Sequence, residues 1–324
     1  MVGTQSPQNA SQPTPEFDQQ CRSILDGWKA GRIAFRDAIA ELGLLAQQAV
    51  DEGYLANQGR AEHILGYIQG ERGNLNTSIM HFERARDIYA ELANQRQVTV
   101  MHLNLGESYR YKGDFNQARY LFRIAYESAD REHMLDIKTV AAVNEGQMLL
   151  NMGRFEAARK ALEEGHTLIQ SWDNADRSPD PIQSEIHYGL ALVHLQTGDP
   201  VDAWQHACMA IKTGERSQDR LKIGMAYRAV GDVLTVLPEL PAEDQVNFTH
   251  DPDLYYQKAM QILRDIRAEA ELGRTLYAHG RSLARRGRRL NAARQLQQAM
   301  ILFTRLDMVA DAANAAQAQL DVTA

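Results

Sequence analysis

Two asparagines, Asn104 and Asn144, stand forty residues apart, each two positions before a glycine, Gly106 or Gly146. A side-chain amide carries donors and acceptors together, the equipment needed to hold the backbone of an extended peptide. Arg110 follows Asn104 and can grip a carboxylate through a charge-assisted fork, with Glu107 and Tyr111 close by in sequence. A single asparagine on a helix is ordinarily just solvated, and recurrence at one register raises a binding role beside that reading without displacing it. A second chemically distinct stretch runs from Arg264 to Arg305, where ten arginines meet three acidic residues in a chain of formal net charge −7. Clustered guanidiniums can hold phosphates or an acidic protein surface. The core of this stretch, RSLARRGRRLNAAR (281–294), has no aromatic side chain on which bases could stack. A solvated face paired with acidic neighbours is therefore the first reading, an acidic protein partner the second, and nucleic acid the last.

Catalytic patterns are missing. The ten histidines form no His-Glu-x-x-His pair and no Cys/His ligand set. His187 and His194 stand seven apart, two helical turns, which is too far for one ion. The glycines of GYIQGERG (66–73) lack the Lys-Ser/Thr of a phosphate loop. No nucleophile elbow occurs, and Cys21 and Cys208 alone build neither a disulfide framework nor a zinc site. The expectation is a chain without enzymatic activity, cofactor or metal. No run of eighteen apolar residues is present, and the first residues lack the basic start and apolar centre of a secretion signal. With two cysteines this points to a reducing, cytoplasmic setting and no membrane partner.

The elements that position these residues are repeats. Gly66, Gly73, Leu75, Ser78, Phe82 and Ala85 recur forty residues later as Gly106, Gly113, Phe115, Ala118, Phe122 and Ala125. They recur again as Gly146, Gly153, Phe155, Ala158, Leu162 and Gly165. Further copies of the first small residue are Ala191, Gly231 and Gly280. Periods of this length mark stacked helical units. The logic is a helical hairpin. The first helix has a small residue where the second crosses it, and a glycine seven residues later caps the first helix. The second helix then carries small, large and small residues on one face.

This pattern resembles the tetratricopeptide repeat family in its long-repeat variety, as in bacterial maltose-activator-type regulators, kinesin light chain and polarity adaptors. Leu105-Gly106, Tyr109, Gly113-Asp114-Phe115, Ala118, Phe122 and Ala125 carry the resemblance, which extends over roughly residues 60–305. It implies an all-α, right-handed superhelical solenoid whose first helices line a concave groove. On that register Asn104 and Asn144 fall where peptide-binding members place ligand-holding asparagines. Glu107, Arg110, Tyr111, Tyr67, Tyr188 and Arg228 are further groove candidates. Arg274, Arg281 and Arg285 fall on the groove side, and Arg286, Arg288 and Arg289 at a hairpin turn.

The expected layout is a disordered tail over 1–16 and a degenerate hairpin over 17–58. Repeats follow at 59–98, 99–138, 139–182, 183–222, 223–271 and 272–309, then a capping helix at 310–320. Five extra residues fall within 172–181. An acidic, Pro-containing loop is inserted at 237–253, with its helix starting near Pro252. The leading function is a protein- or peptide-binding adaptor. A stand-alone sensor of a small signal or short peptide is the alternative, and a homo-oligomerising structural subunit the third reading.

Overall fold

The computed structural model describes residues 11–172 and 178–323. Two compact units divide the chain, Met1–Ile137 and Lys138–Ala324. Among the described residues every regular element is an α-helix. The first unit holds α1 (Pro15–Lys29), α2 (Phe35–Asp51), α3 (Leu55–Glu71), α4 (Leu75–Glu91), α5 (Gln95–Lys112) and α6 (Phe115–Arg131). Helix α7 (Leu135–Asn151) begins at its end. The second unit continues with α8 (Phe155–Gln170), α9 (Asp180–Thr197), α10 (Pro200–Ser217), α11 (Arg220–Leu234) and α12 (Pro252–Asp265). It closes with α13 (Glu269–Arg285), α14 (Arg289–Arg305) and α15 (Val309–Thr323). Within each unit, helices pair as hairpins and each hairpin packs on the next.

The small residue of each first helix sits where the large residue of the second helix presses on it. A Cβ added at Gly66 would lie 2.7 Å from the Phe82 ring, and one at Gly106 only 2.4 Å from Phe122. In the second unit, Gly146 meets Leu162 at 2.7 Å, Gly231 meets Tyr256 at 3.0 Å and Gly280 meets Leu296 at 2.7 Å. Periodicity left a second row unnoticed, seven residues earlier on the same helices: Gly59, Thr99, Thr139, Ser184, Gly224 and Gly273. There Gly59 faces Tyr89 at 3.1 Å, Gly224 faces Leu263 at 2.9 Å and Gly273 faces Phe303 at 2.7 Å. Each hairpin is thus pinned at two levels, and the glycines let the helices approach until ring meets backbone.

Turns are set by the left-handed conformation. Gly73, Gly113, Gly153, Gly198 and Gly287 all have positive φ, between 70° and 88°. The exits of the second helices use it too, but with Ala93, His133, Gln218, Arg267 and Asp307. Side chains there kept these turns out of a glycine-based reading.

The boundaries shift in small, explicable ways. Each helix pair starts three or four residues before the repeat frame counted from the glycines, for example at Leu55, Gln95 and Glu269. Of the expected tail, residues 1–10 lie outside the described residues, while Pro15 and Glu16 already belong to α1. Pro is suited to the first helical turn. The stretch before it is also tied down: Thr14 N donates to Asn57 Oδ1 at 2.9 Å, and Asn94 Nδ2 donates to the Ser11 carbonyl at 2.8 Å. Of the insertion within 172–181, residues 173–177 lie outside the described residues, and Asp180 already opens α9. The one at 237–253 is packed: Leu237 and Leu240 are buried. Trp204 Nε1 donates to Asp244 Oδ2 at 2.7 Å, and Phe248 meets the Trp204 ring edge-on at 5.0 Å. Helix α12 starts at Pro252, with Asp251 as its N-cap.

A methyl group therefore has opposite effects at two helical glycines. Gly106→Ala should destabilise by about 1–3 kcal/mol, because the buried Phe122 ring has nowhere to retreat. Gly43→Ala, where nothing lies within 4 Å, should stabilise by up to about 1 kcal/mol through helix propensity alone. Urea melts of the two variants read both signs.

Candidate functional site

In the first unit, the residues singled out by register lie on α3 and α5. Asn104 is half-buried and its Nδ2 donates to His63 Nε2 at 3.1 Å, linking the first helices of two successive hairpins. That bond puts the His63 proton on Nδ1, which is buried and has no hydrogen-bond partner among the described residues. Burial, helped by the nearby Arg60, pushes the His63 pKa down from 6.5 to about 3, so the ring is neutral at ordinary pH. Arg110 is buried, with its Nη2 donating to Glu107 Oε2 at 2.6 Å and its guanidinium 4.5 Å over the Tyr111 ring. Tyr67 is half-buried and receives the Lys29 ammonium 4.7 Å over its ring. Glu62, also on α3, is buried and bonded to His81 at 2.6 Å. The structure thus joins Glu107, Arg110 and Tyr111 in one cluster, and gives Asn104 a partner, His63, that sequence reasoning missed. Helix α7 carries Asn144, which is buried.

In the second unit, Tyr188 and Arg228 do not lie open on a groove as expected, because the next first helix covers them. Arg228 is 4% exposed and Tyr188 6%. The guanidinium donates to the Tyr188 hydroxyl and pairs with Glu271 Oε2 at 2.7 Å. Glu271 in turn accepts from Arg274 at 2.8 Å. The network ties α9, α11 and α13 together. Such buried ion pairs hold only while every partner is present.

Much of the arginine charge is answered internally. Arg286 and Arg288 both donate to Asp253, and His279 Nε2 contacts the same carboxylate at 2.9 Å. Burial works to raise the Asp253 pKa, but the hydrogen bonds and charges of Arg286 and His279 hold it below the ordinary range. Arg274 also reaches Asp311 at 3.4 Å. Arg281, with its guanidinium 5.7 Å over the Tyr277 ring, is exposed, as are Arg285 and Arg289. Beside this cluster lies a cavity of about 280 Å³ lined by Asp253, Gln257, His279, Arg288, Arg294 and Gln295, among others. Two buried atoms of its lining residues, His279 Nδ1 and Gln295 Oε1, have no hydrogen-bond partner among the described residues.

A ladder of four histidines crosses the same unit. Ring centroids step 5.6 Å from His166 to His187, 5.2 Å to His206 and 5.3 Å to His194. Its members come from α8, α9 and α10, and spacing on one helix could not reveal it.

Residues 57–131 match the tetratricopeptide repeat model. No curated protein matches the sequence. Among solved structures, the fold is similar to the Rap conjugation gene regulator of plasmid pLS20 in complex with the Phr* peptide. That match has 15% identity and a TM-score of 0.66, covering 92% of this chain and 73% of that one. It is also similar to apo RapI, at 10% identity and TM-score 0.63, covering 89% and 97%. A third is Rap protein complexed with competence and sporulation factor, at 11% and 0.63, covering 95% and 85%. These likenesses establish a shared helical-repeat fold. No helix among the described residues is long and apolar enough to cross a membrane.

The depressed His63 pKa has a signed consequence. The unfolded chain takes up this proton near pH 6.5, the folded chain only near pH 3. The contribution is fully present above about pH 6.5 and fades as pH falls toward 3. His63→Gln keeps an acceptor for Asn104 and removes the titrating ring. Urea denaturation at several pH values between 7.5 and 4.5 should show a shallower loss of stability for this variant than for the parent.

Proposed function

We propose that the chain is a non-enzymatic adaptor that binds a protein or an extended peptide along the first helices of its hairpins. The observation that carries this reading is the polar cluster on α5. Glu107, Arg110 and Tyr111 are held in fixed geometry by mutual contacts, and Asn104 is oriented by His63. A repeat helix that needed only to stack would carry apolar or solvated residues there. A peptide amide can exchange with the Asn104–His63 bond, and a peptide carboxylate can share the Arg110 guanidinium. The equivalent residue of the second unit, Asn144, carries the same amide but is buried, so a peptide would reach it only after a shift of its neighbours. Repeat-fold structures determined with peptide or signalling-factor partners, such as the pLS20 regulator with Phr*, agree with this use of the fold.

A second reading is favoured by the cavity beside Asp253. Its unsatisfied Gln295 and His279 atoms, with Arg288 and Arg294 on the wall, suit a small ligand bearing a carboxylate and a donor group. The chain would then act as a sensor of a small signal or short peptide.

The two readings separate in one experiment. A displayed library of short peptides is panned against the full chain, and the selected peptides are re-tested on two folded variants. The adaptor reading expects a loss of at least about tenfold, 1.4 kcal/mol, on combined Asn104→Ala, Arg110→Ala and Asn144→Ala, with Gln295→Leu unaffected. The reverse pattern supports the sensor. Peptides that bind both variants as tightly as the parent would reject both sites.

A further inference from the structure

The α9–α10 hairpin gathers ligating side chains from both of its helices around one turn. His194 lies in the last turn of α9, Asp199 is the N-cap of α10, and Asp202 sits in the first turn of α10. One ligand atom from each of the three lies within 4.8 Å of the others. Nδ1 of His194 is 3.9 Å from Oδ2 of Asp202. Ligands bound about 2.0–2.2 Å from one tetrahedral ion stand roughly 3.3–3.6 Å apart, so closing the His194–Asp202 pair takes about half an ångström and closing the whole group up to about 1.5 Å, within reach of side-chain rotation.

The turn prepares these groups. Gly198 takes the left-handed conformation at φ 88°, and Pro200 fixes the first residue of α10. Asp199 accepts a hydrogen bond from the Asp202 backbone N–H at 3.1 Å. That bond orients the Asp199 carboxylate at the turn. The His194 ring is steadied by the histidine ladder. His206 stacks on it with an interplanar angle of 19°, and His206 is itself held by His187, Nδ1 to Nδ1, at 3.0 Å. An entry path exists, since the His194 side chain is 17% and that of Asp202 50% exposed.

We propose that His194, Asp199 and Asp202 bind a divalent transition-metal ion of the zinc class, clamping the end of α9 to the start of α10. One imidazole with two carboxylates suits zinc or nickel, whereas magnesium favours oxygen ligands alone. Three protein ligands leave a position for water or for a side chain of a partner. His187 lies two turns from His194 along α9, too far to share its ion by helical spacing. The ligands that matter lie five and eight residues downstream, across the turn. The proposal is independent of the peptide-binding reading.

The test is calorimetric titration of the tag-free, chelator-treated full chain with zinc chloride, with magnesium chloride as control. Saturable 1:1 zinc binding without a magnesium response is expected. His194→Ala and Asp202→Asn should each weaken it by more than the roughly 10- to 100-fold that loss of an outer-shell partner costs. Asp199→Asn preserves the helix cap, so its loss of affinity reports the carboxylate and not the fold. His187→Ala should weaken binding less than any of these. Absence of saturable zinc binding, or affinity unchanged in Asp202→Asn and Asp199→Asn, overturns the proposal. Loss in His187→Ala with retention in Asp202→Asn does so too, by moving the ion to the imidazole pair.

Discussion

Everything in this fold depends on how closely two helices of a hairpin can approach. At the crossing, the large side chain of the second helix lies against the backbone of the first, and a single methyl group would overlap it. The chain contains its own control. Five hairpins place Gly66, Gly106, Gly146, Gly231 and Gly280 against Phe, Phe, Leu, Tyr and Leu. The hairpin of α9 and α10 has Ala191 at that place, and there the residue corresponding to Phe122 is Ala207. When the first helix gains a methyl, the second gives up its ring. Trp204, one turn away and fully buried, is the bulky residue of that hairpin. The second crossing follows the same rule. Gly59, Gly224 and Gly273 face Tyr89, Leu263 and Phe303, while buried Ser184 faces Gly214, its Oγ 3.1 Å from where a Cβ would stand. Close packing makes total volume at a contact the conserved quantity, with no slack for an extra atom on either side.

That constraint leaves the other flank of each first helix for polar residues, and it decides which can be functional. In the first unit, Asn104 and Arg110 are held by His63 and Glu107, which fixes their geometry. In the second unit, the corresponding flank of α11 is sealed by α13, and Arg228 becomes a buried counterion of Glu271. Arginines at different offsets from the small residue, Arg110 four after Gly106 and Arg228 three before Gly231, are thus both buried against a glutamate, one on its own helix and the other on the next first helix.

The crossings, the glycine caps and the start of α12 at Pro252 were legible in the sequence, because each needs a particular residue type at a fixed offset. Three features were not. The second row of small residues mixes Gly, Ser and Thr, so no single letter recurs. Turns at Ala93, His133 and Asp307 take the left-handed conformation without glycine. The histidine ladder and the His194–Asp199–Asp202 group draw members from different helices or from across a turn, and no within-helix spacing encodes them. Among the candidate site residues, the register put Arg110 and Glu107 one turn apart on α5, where they pair, but did not show that Arg110 would be buried. It could not tell that Tyr188 and Arg228 would be covered, since a residue's face is a property of its own helix and its burial a property of the next one.

A double-mutant cycle between Gly106 and Phe122 tests the crossing rule most directly. On the parent background, adding a methyl at position 106 has to displace a buried ring. With Phe122→Ala in place the ring is gone, as it is naturally at Ala207, and only the helix-propensity gain of up to about 1 kcal/mol remains. The rule predicts that Gly106→Ala changes sign between the two backgrounds, destabilising in the first and stabilising in the second. An equal cost in both would contradict it.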